Sequence, residues 1–323
     1  MKLRHLIATL SVATCAATAQ ADIGSIDLSR YQLTGNFALD TLSGKELEAS
    51  AVTYAKDRGT LFFVGDEGLG VVEISRTGQT LGSMAFDWSG TGSTNNDAEG
   101  LTYLGNGELV VVDERPQIAY KFAYANGGSV ALNSTPKVAI TGSTASVGNV
   151  GTEGISVDPA TGQFYTVKQD NPAQLRVSTL NFAVGFGSAN TTVLHTGATA
   201  LFGLSSLSDV QTLSSVDALA GNSAASNLLV LSLGSKRLVE LNPTSGAVLS
   251  FFDLTSVTTQ AIEGVTVDEL GRIYLVAENV VGGAPSRLFE LTPVPVPAAA
   301  WLFGSALAGL ASFARNRRKN VIA

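Results

Sequence analysis

The sequence predicts an all-β fold, a five-bladed β-propeller closed by its own N-terminal strand, and three observations predict it. A unit made of an apolar β-rich run, a glycine turn, a second β run and an acidic cluster recurs from Ser50, Glu99, Glu153, Ser208 and Glu263, at spacings of 49, 54, 55 and 55 residues. Evenly spaced strand-rich units form solenoids or propellers. The runs are Val, Ile, Leu and Tyr segments of four to six residues split by glycine, which is a strand signal, and no window carries an amphipathic helix. Finally, the last unit offers only three strands, ending at Arg287-Leu-Phe-Glu-Leu291, while residues 31–39 stand before the first unit as a spare strand. A ring closed by that strand leaves no open sheet edge. Six blades is the alternative, because the irregular stretch 208–253 is long enough to conceal extra strands.

Taken from the start, residues 1–21 read as a cleavable signal peptide. Lys2 and Arg4 precede an apolar run from Leu6 to Ala17, and Ala19-Gln20-Ala21 has the small-x-small cleavage pattern, so the mature chain is expected to begin at Asp22. The sole cysteine, Cys15, leaves with it. Residues 22–293 are the propeller. Its first unit predicts strands near 50–56, 60–65, 70–75 and 80–86, and a Ser/Ala/Asn-rich insertion near 214–227 interrupts the fourth unit. Residues 294–323 form a tail. Residues 298–314 lack charge over 17 positions, the short limit for a bilayer span. Arg315, Arg317, Arg318 and Lys319 follow and are expected to stay cytoplasmic.

That tail resembles the PEP-CTERM sorting signal of Gram-negative bacteria. Its motif, Val294-Pro295-Val296-Pro297-Ala298, is close to the VPxPA variant and lacks the glutamate between the prolines of the commoner form. The resemblance implies an exosortase as processing partner, transient inner-membrane anchoring through residues 298–314, and release or attachment at the cell surface. It also implies a link to exopolysaccharide.

Composition excludes several function classes. The chain carries 20 Lys and Arg against 27 Asp and Glu. Without the two ends, 14 basic residues face 27 acidic ones, a body of −13. Such a body does not neutralise phosphates, so nucleic acid is not an expected partner; it favours cations and solubility. The body has one histidine, His195, and no cysteine, so zinc and a Ser-His-Asp triad are poorly supplied.

Propeller connectivity puts the start of strand one and the end of strand two on one face of every blade. Ser50, Glu99, Glu153, Ser208 and Glu263 are therefore expected to ring the channel mouth. Asp66, Glu67, Asp113, Glu114, Arg115, Lys168, Asp170 and Glu278 should surround them as ligand-face candidates. Converging carboxylates need a cation or a proton. Ca²⁺ suits oxygen ligands of this kind; the other reading is that each Glu-Gly pair caps a turn. The following glycine serves either close approach or a positive φ.

The runs Asp97-Ala-Glu-Gly-Leu-Thr-Tyr103, Val64-Gly-Asp-Glu-Gly68, Val111-Val-Asp-Glu-Arg115 and Thr152-Glu-Gly-Ile155 are similar to the SdiA-regulated (YjiK-like) propeller family over roughly residues 31–292. In place of that family's Leu-Ser-Gly, the first repeat has Ala49-Ser50-Ala51. The resemblance implies an exported or envelope-associated bacterial propeller, with calcium-dependent phytase-like and lactonase-like hydrolases among related folds. Two functions follow as expectations: a calcium-binding module for a ligand or surface polymer, or a calcium-dependent hydrolase. A phosphatase needs several Lys or Arg on the acidic face, and the repeats offer mainly Arg115 and Lys168, which favours binding.

Overall fold

The computed structural model describes residues 22–40, 48–66, 68–197, 202–279 and 284–294. The expected signal peptide (residues 1–21), the expected membrane span 298–314 with its basic end, and Glu67 lie outside the described residues. Among those described, no helix is long and apolar enough to cross a membrane.

The fold is all-β and has five blades. Strand β1 (Tyr31–Ala38) comes first. Blade 1 holds β2 (Ala49–Ala55), β3 (Thr60–Gly65), β4 (Gly70–Ile74) and β5 (Thr80–Asp87). Blade 2 holds β6 (Ala98–Gly105), β7 (Glu108–Asp113) and β8 (Ile118–Ala123); β9 (Ser129–Ala131) follows, and β10 (Lys137–Ala139) completes the blade. Blade 3 is β11 (Thr152–Val157), β12 (Phe164–Lys168), β13 (Gln174–Asn181) and β14 (Ser188–Thr196). Blade 4 is β15 (Asp209–Thr212), β16 (Leu228–Ser232), β17 (Arg237–Leu241) and β18 (Val248–Asp253). Blade 5 takes β19 (Ile262–Val267), β20 (Ile273–Ala277) and β21 (Arg287–Pro293), with β1 as its outer strand.

The expected closure is therefore present. Strand β1 runs antiparallel to β21 from Tyr31↔Pro293 to Ala38↔Arg287, and the buried Tyr31 hydroxyl donates to the Gly271 carbonyl at 2.9 Å. Stretch 208–253 conceals no sixth blade. Its insertion forms two short 3-10 turns, Asp217–Leu219 and Ser223–Ser226, that receive the chain's first described residues. Asp22 accepts from the Ser223 backbone at 2.7 Å, and the buried Glu240 accepts from the Ile26 backbone at 3.0 Å. One strand was not foreseen. β9 leaves blade 2 and pairs in parallel with β5, adding a fifth strand to blade 1 and covering its edge.

The apolar core lies between blades, where facing sheets interdigitate. Phe62, Phe86, Tyr103 and Phe122 fill the gap between blades 1 and 2. Tyr54, Phe63, Tyr274 and Leu288 fill that between blades 5 and 1.

Inner strands have no neighbour in their own sheet on the channel side, so their backbone groups need other partners. A repeated hydroxyl supplies them. Thr53 accepts from the Tyr103 backbone N–H, Thr102 from Val157, Ser156 from Thr212 and Thr266 from Tyr54, each at 3.0–3.1 Å. Each sits three residues after its unit's ring position and bonds the next blade. Blade 4 has Gln211 there, which accepts from the Thr266 hydroxyl instead. Thr102→Val keeps the shape and removes the acceptor of a buried N–H. It is expected to cost about 1–3 kcal/mol, read as a lower urea midpoint with an unchanged slope.

Candidate functional site

The five ring positions hold the start of the inner strands, and four of them share one backbone device. In β2, β6, β11 and β19 the pairing with the second strand skips a residue: between Ala49 and Ala51, Ala98 and Gly100, Thr152 and Gly154, and Ile262 and Gly264. The skipped residues are Ser50, Glu99, Glu153 and Glu263. Each is the extra residue of a β-bulge, a feature that bends the strand and re-aims a side chain. The turn-cap reading does not describe them. Blade 4 lacks the bulge; Ser208 stands just before β15, and its hydroxyl accepts from the Leu233 backbone at 3.0 Å.

The glycine after each glutamate serves close approach, not a positive φ; none of the three lies in the left-handed region. A Cβ on Gly100 would stand 3.0 Å from the Glu153 carbonyl oxygen of the next blade. On Gly264 it would stand 2.9 Å from Ala51 Cα, and on Gly154 2.6 Å from Asp209 Cα. Neighbouring inner strands therefore touch at this level and the channel is narrow.

The three glutamates converge there. Burial pushes the carboxyl of Glu99 well above the usual range, reinforced by the charges of Glu263, Asp66 and Glu114, while the Ser50 hydroxyl bond opposes the shift. Burial, then Glu99 and Glu114, does the same to Glu153, which is nine-tenths buried and hydrogen-bonds Glu114. Glu263 is pushed up to about 9 by burial, the charge of Glu278 and a hydrogen bond with it. Glu114 and Glu278 are raised in turn, chiefly by burial. Two carboxyl pairs result, Glu114 with Glu153 and Glu263 with Glu278, and a carboxyl bonded to a carboxyl holds a proton between them.

The wider candidates divide. Asp66 acts on Glu99 and Glu263, and its backbone N–H donates to the Ser50 hydroxyl at 3.1 Å. Glu114 accepts from the Gly151 backbone at 2.8 Å and Glu278 reaches Glu263, so both belong to the site. Asp113 is the last residue of β7 and Glu114 opens the turn that follows. Asp113 is fully buried near Ser93 and Tyr120, both carboxylate oxygens lack a hydrogen-bond partner, and burial raises it to about 7. Arg115 is engaged by Asp97 and by Asn149 at 2.7 Å. Lys168 is nine-tenths buried and donates to the Asp170 carbonyl; the Asp170 side chain is exposed and accepts from the Asn171 backbone at 2.7 Å. His195 lies on the outer strand β14 and bonds the Pro243 carbonyl at 2.8 Å, away from the channel.

Residues beyond the expected set also join. Glu48 raises Glu263 and Glu278. Asp209 occupies the glycine slot of blade 4 and is buried; it accepts from the Val210 and Val265 backbone at 2.8 and 2.7 Å, tying blade 4 to blade 5. Arg176, buried on β13, bonds Gln174 and Gln117 at 2.8 and 2.9 Å, and together with burial it lowers the Lys168 ammonium. The signal for Asp209 was an acid standing in a glycine column. Arg176 had none, because β13 follows no shared pattern.

The carboxyls and hydroxyls at this mouth offer oxygen ligands, which fits a hard cation. Among the described residues, no group of three or more Asp, Glu, His or Cys stands close enough to hold a metal ion. A cation entering here must displace the shared protons and draw the carboxylates inward.

A family model described as SdiA-regulated matches residues 25–281. Among solved structures, glutaminyl cyclase of Myxococcus xanthus is 13% identical with a TM-score of 0.51, covering 81% of this chain and 95% of that one. A luciferin-regenerating enzyme is 10% identical with a TM-score of 0.48, covering 81% and 95%. The Cps50 (Swd1) β-propeller domain of Myceliophteria thermophila is 11% identical with a TM-score of 0.40; the match covers 76% of this chain and spans 65% of that one. At 13% identity the likeness to the glutaminyl cyclase speaks to the fold alone.

Proposed function

The chain belongs to the SdiA-regulated family, and from that premise we propose that it is an exported binding module whose channel mouth takes Ca²⁺. Calcium then presents the acidic face to a ligand or surface polymer. The signal peptide and PEP-CTERM-like tail support export and exosortase processing; the oxygen ligands of the mouth support calcium over zinc. The observation that carries the reading is that three bulge residues, Glu99, Glu153 and Glu263, lie close enough for their charges to raise one another's carboxyls. Bulges concentrate at rims and beside functional sites, where they re-aim a side chain. Binding is favoured over hydrolysis because Asp97 engages Arg115, which leaves few cations for an anionic substrate.

The test is the melting temperature of the protein with calcium and with chelator. At a hundredfold excess over Kd, binding to the folded state alone stabilises by about 2.7 kcal/mol. Glu99→Gln with Glu153→Gln should remove most of that gain, since neutral amides attract a divalent cation far less. Asp170→Asn, on an exposed loop, should retain it. Equal melting in calcium and chelator up to millimolar calcium would overturn the calcium reading.

A further inference from the structure

A large void opens at the other end of the channel. A cavity of about 650 Å³ opens among the hairpins that join first and second strands. Its wall is the hydroxyl ladder itself, Thr53, Thr102, Ser156 and Thr266, with the rings of Tyr54, Tyr103 and Phe164 beside it. The reason is geometric. Inner strands touch at the acidic mouth through their bulge glycines, and strand twist makes them diverge away from that contact. The result is a funnel, narrow at the carboxyls and wide at the hairpins.

The chemistry of this chamber differs from that of the acidic mouth. Two charged residues stand at the rim and both are engaged: Lys56 pairs with Asp217 at 2.6 Å, and Asp57 accepts from the Asn106 backbone at 2.9 Å. The walls are apolar and aromatic. The hydroxyls of Thr53 and Thr102 each accept a backbone bond, which leaves their protons to donate. A volume in the 300–1,000 Å³ range with apolar walls and few polar groups is the usual profile of a small-molecule site.

We propose that the hairpin-side chamber is a second binding site, for an uncharged, largely apolar ring molecule that accepts hydrogen bonds. Lys56 is already paired with Asp217 and the exposed Asp57 carboxylate keeps its charge at the rim, so an anion is repelled, and the apolar walls compensate no buried ion. The site does not depend on calcium at the opposite mouth.

Two fluorescent probes of one skeleton test it: neutral N-phenyl-1-naphthylamine and its sulfonated relative 1-anilinonaphthalene-8-sulfonate, titrated with the purified protein in chelator. The neutral probe should bind at least about tenfold tighter, a gap of about 1.4 kcal/mol. Leu104→Trp, a half-buried wall position, should fill the chamber and weaken the neutral probe by at least about tenfold, while its melting temperature reports that the fold persists. Should Leu104→Trp unfold, Val157→Phe on the neighbouring blade is the second blocking variant. Glu99→Gln should bind as the parent does. Equal affinity for the two probes, or undiminished neutral binding in a folded blocking variant, would overturn the chamber as the site. Loss of binding in Glu99→Gln would place the probe at the acidic mouth and overturn it too.

Discussion

Gly154→Ala is expected to lower the stability of the propeller by about 3 kcal/mol or more, the upper end of what overpacking costs. The added methyl would stand 2.4 Å from an Asp209 carboxylate oxygen, 2.6 Å from Asp209 Cα and 2.8 Å from the Val210 nitrogen. No side chain can swing clear, because the obstacle is backbone and Asp209 is pinned by bonds to Val210 and Val265. At about 2–4 °C per kcal/mol for a domain of this size, the melting temperature should fall by roughly 6–12 °C. Gly100→Ala is the comparator. Its nearest obstacle is a carbonyl oxygen at 3.0 Å, so it should fall by much less. A loss at Gly154 as small as that expected at Gly100 would show that Asp209 yields and that blades 3 and 4 are not tightly packed at the channel rim.

The second large effect is a pH dependence of unusual sign. Glu99, Glu153 and Glu263 are raised in the folded state, as are Glu114, Glu278 and Asp113. A raised carboxyl keeps its proton in the folded chain after the unfolded chain has released it. Stability therefore declines as pH climbs from about 4.5, the ordinary glutamate value, to about 9, where Glu263 titrates. The slope is up to about 1.4 kcal/mol per pH unit for each proton retained. In chelator, the protein should melt higher at pH 5.5 than at pH 8.5. Calcium should remove much of that difference by taking the place of the protons, and the Glu99→Gln, Glu153→Gln pair should shrink it without calcium, leaving the part that Glu263 and Glu278 contribute. A melting temperature that rises from pH 5.5 to 8.5 in chelator would mean that the carboxyls stand ionised.

The blade number was legible because each unit repeats its strands at a fixed spacing, and the closing strand because one unit was a strand short. Convergence of the glutamates was legible from the same alignment. Their local role was not, since Glu-Gly is equally a turn signal and a bulge signal until the pairing partner is known. Asp113 was placed on the acidic face beside Glu114; it closes β7 fully buried, a depth that neighbouring positions in the sequence do not reveal. Arg115 was read as available, whereas the partner that engages it, Asp97, sits 18 residues earlier in a loop without repeat identity. The hairpin-side chamber was invisible for a different reason: a void is the space left by divergent strands, and no residue type marks it.

The pairing of Tyr31 with Pro293 joins positions 262 residues apart. During synthesis at roughly 5–20 residues per second, β1 waits on the order of 10–50 s before β21 exists to receive it. Blades 1 to 4 can assemble in the order they emerge, blade 1 taking its fifth strand, β9, from the chain that also builds blade 2. Blade 5 cannot, so the ring stays an open arc with two exposed edges until its last strand arrives. Closure is thus the final, long-range step of folding and the slow one by topology, and the interval before it is when the protein is most open to proteolysis or to pairing with another copy.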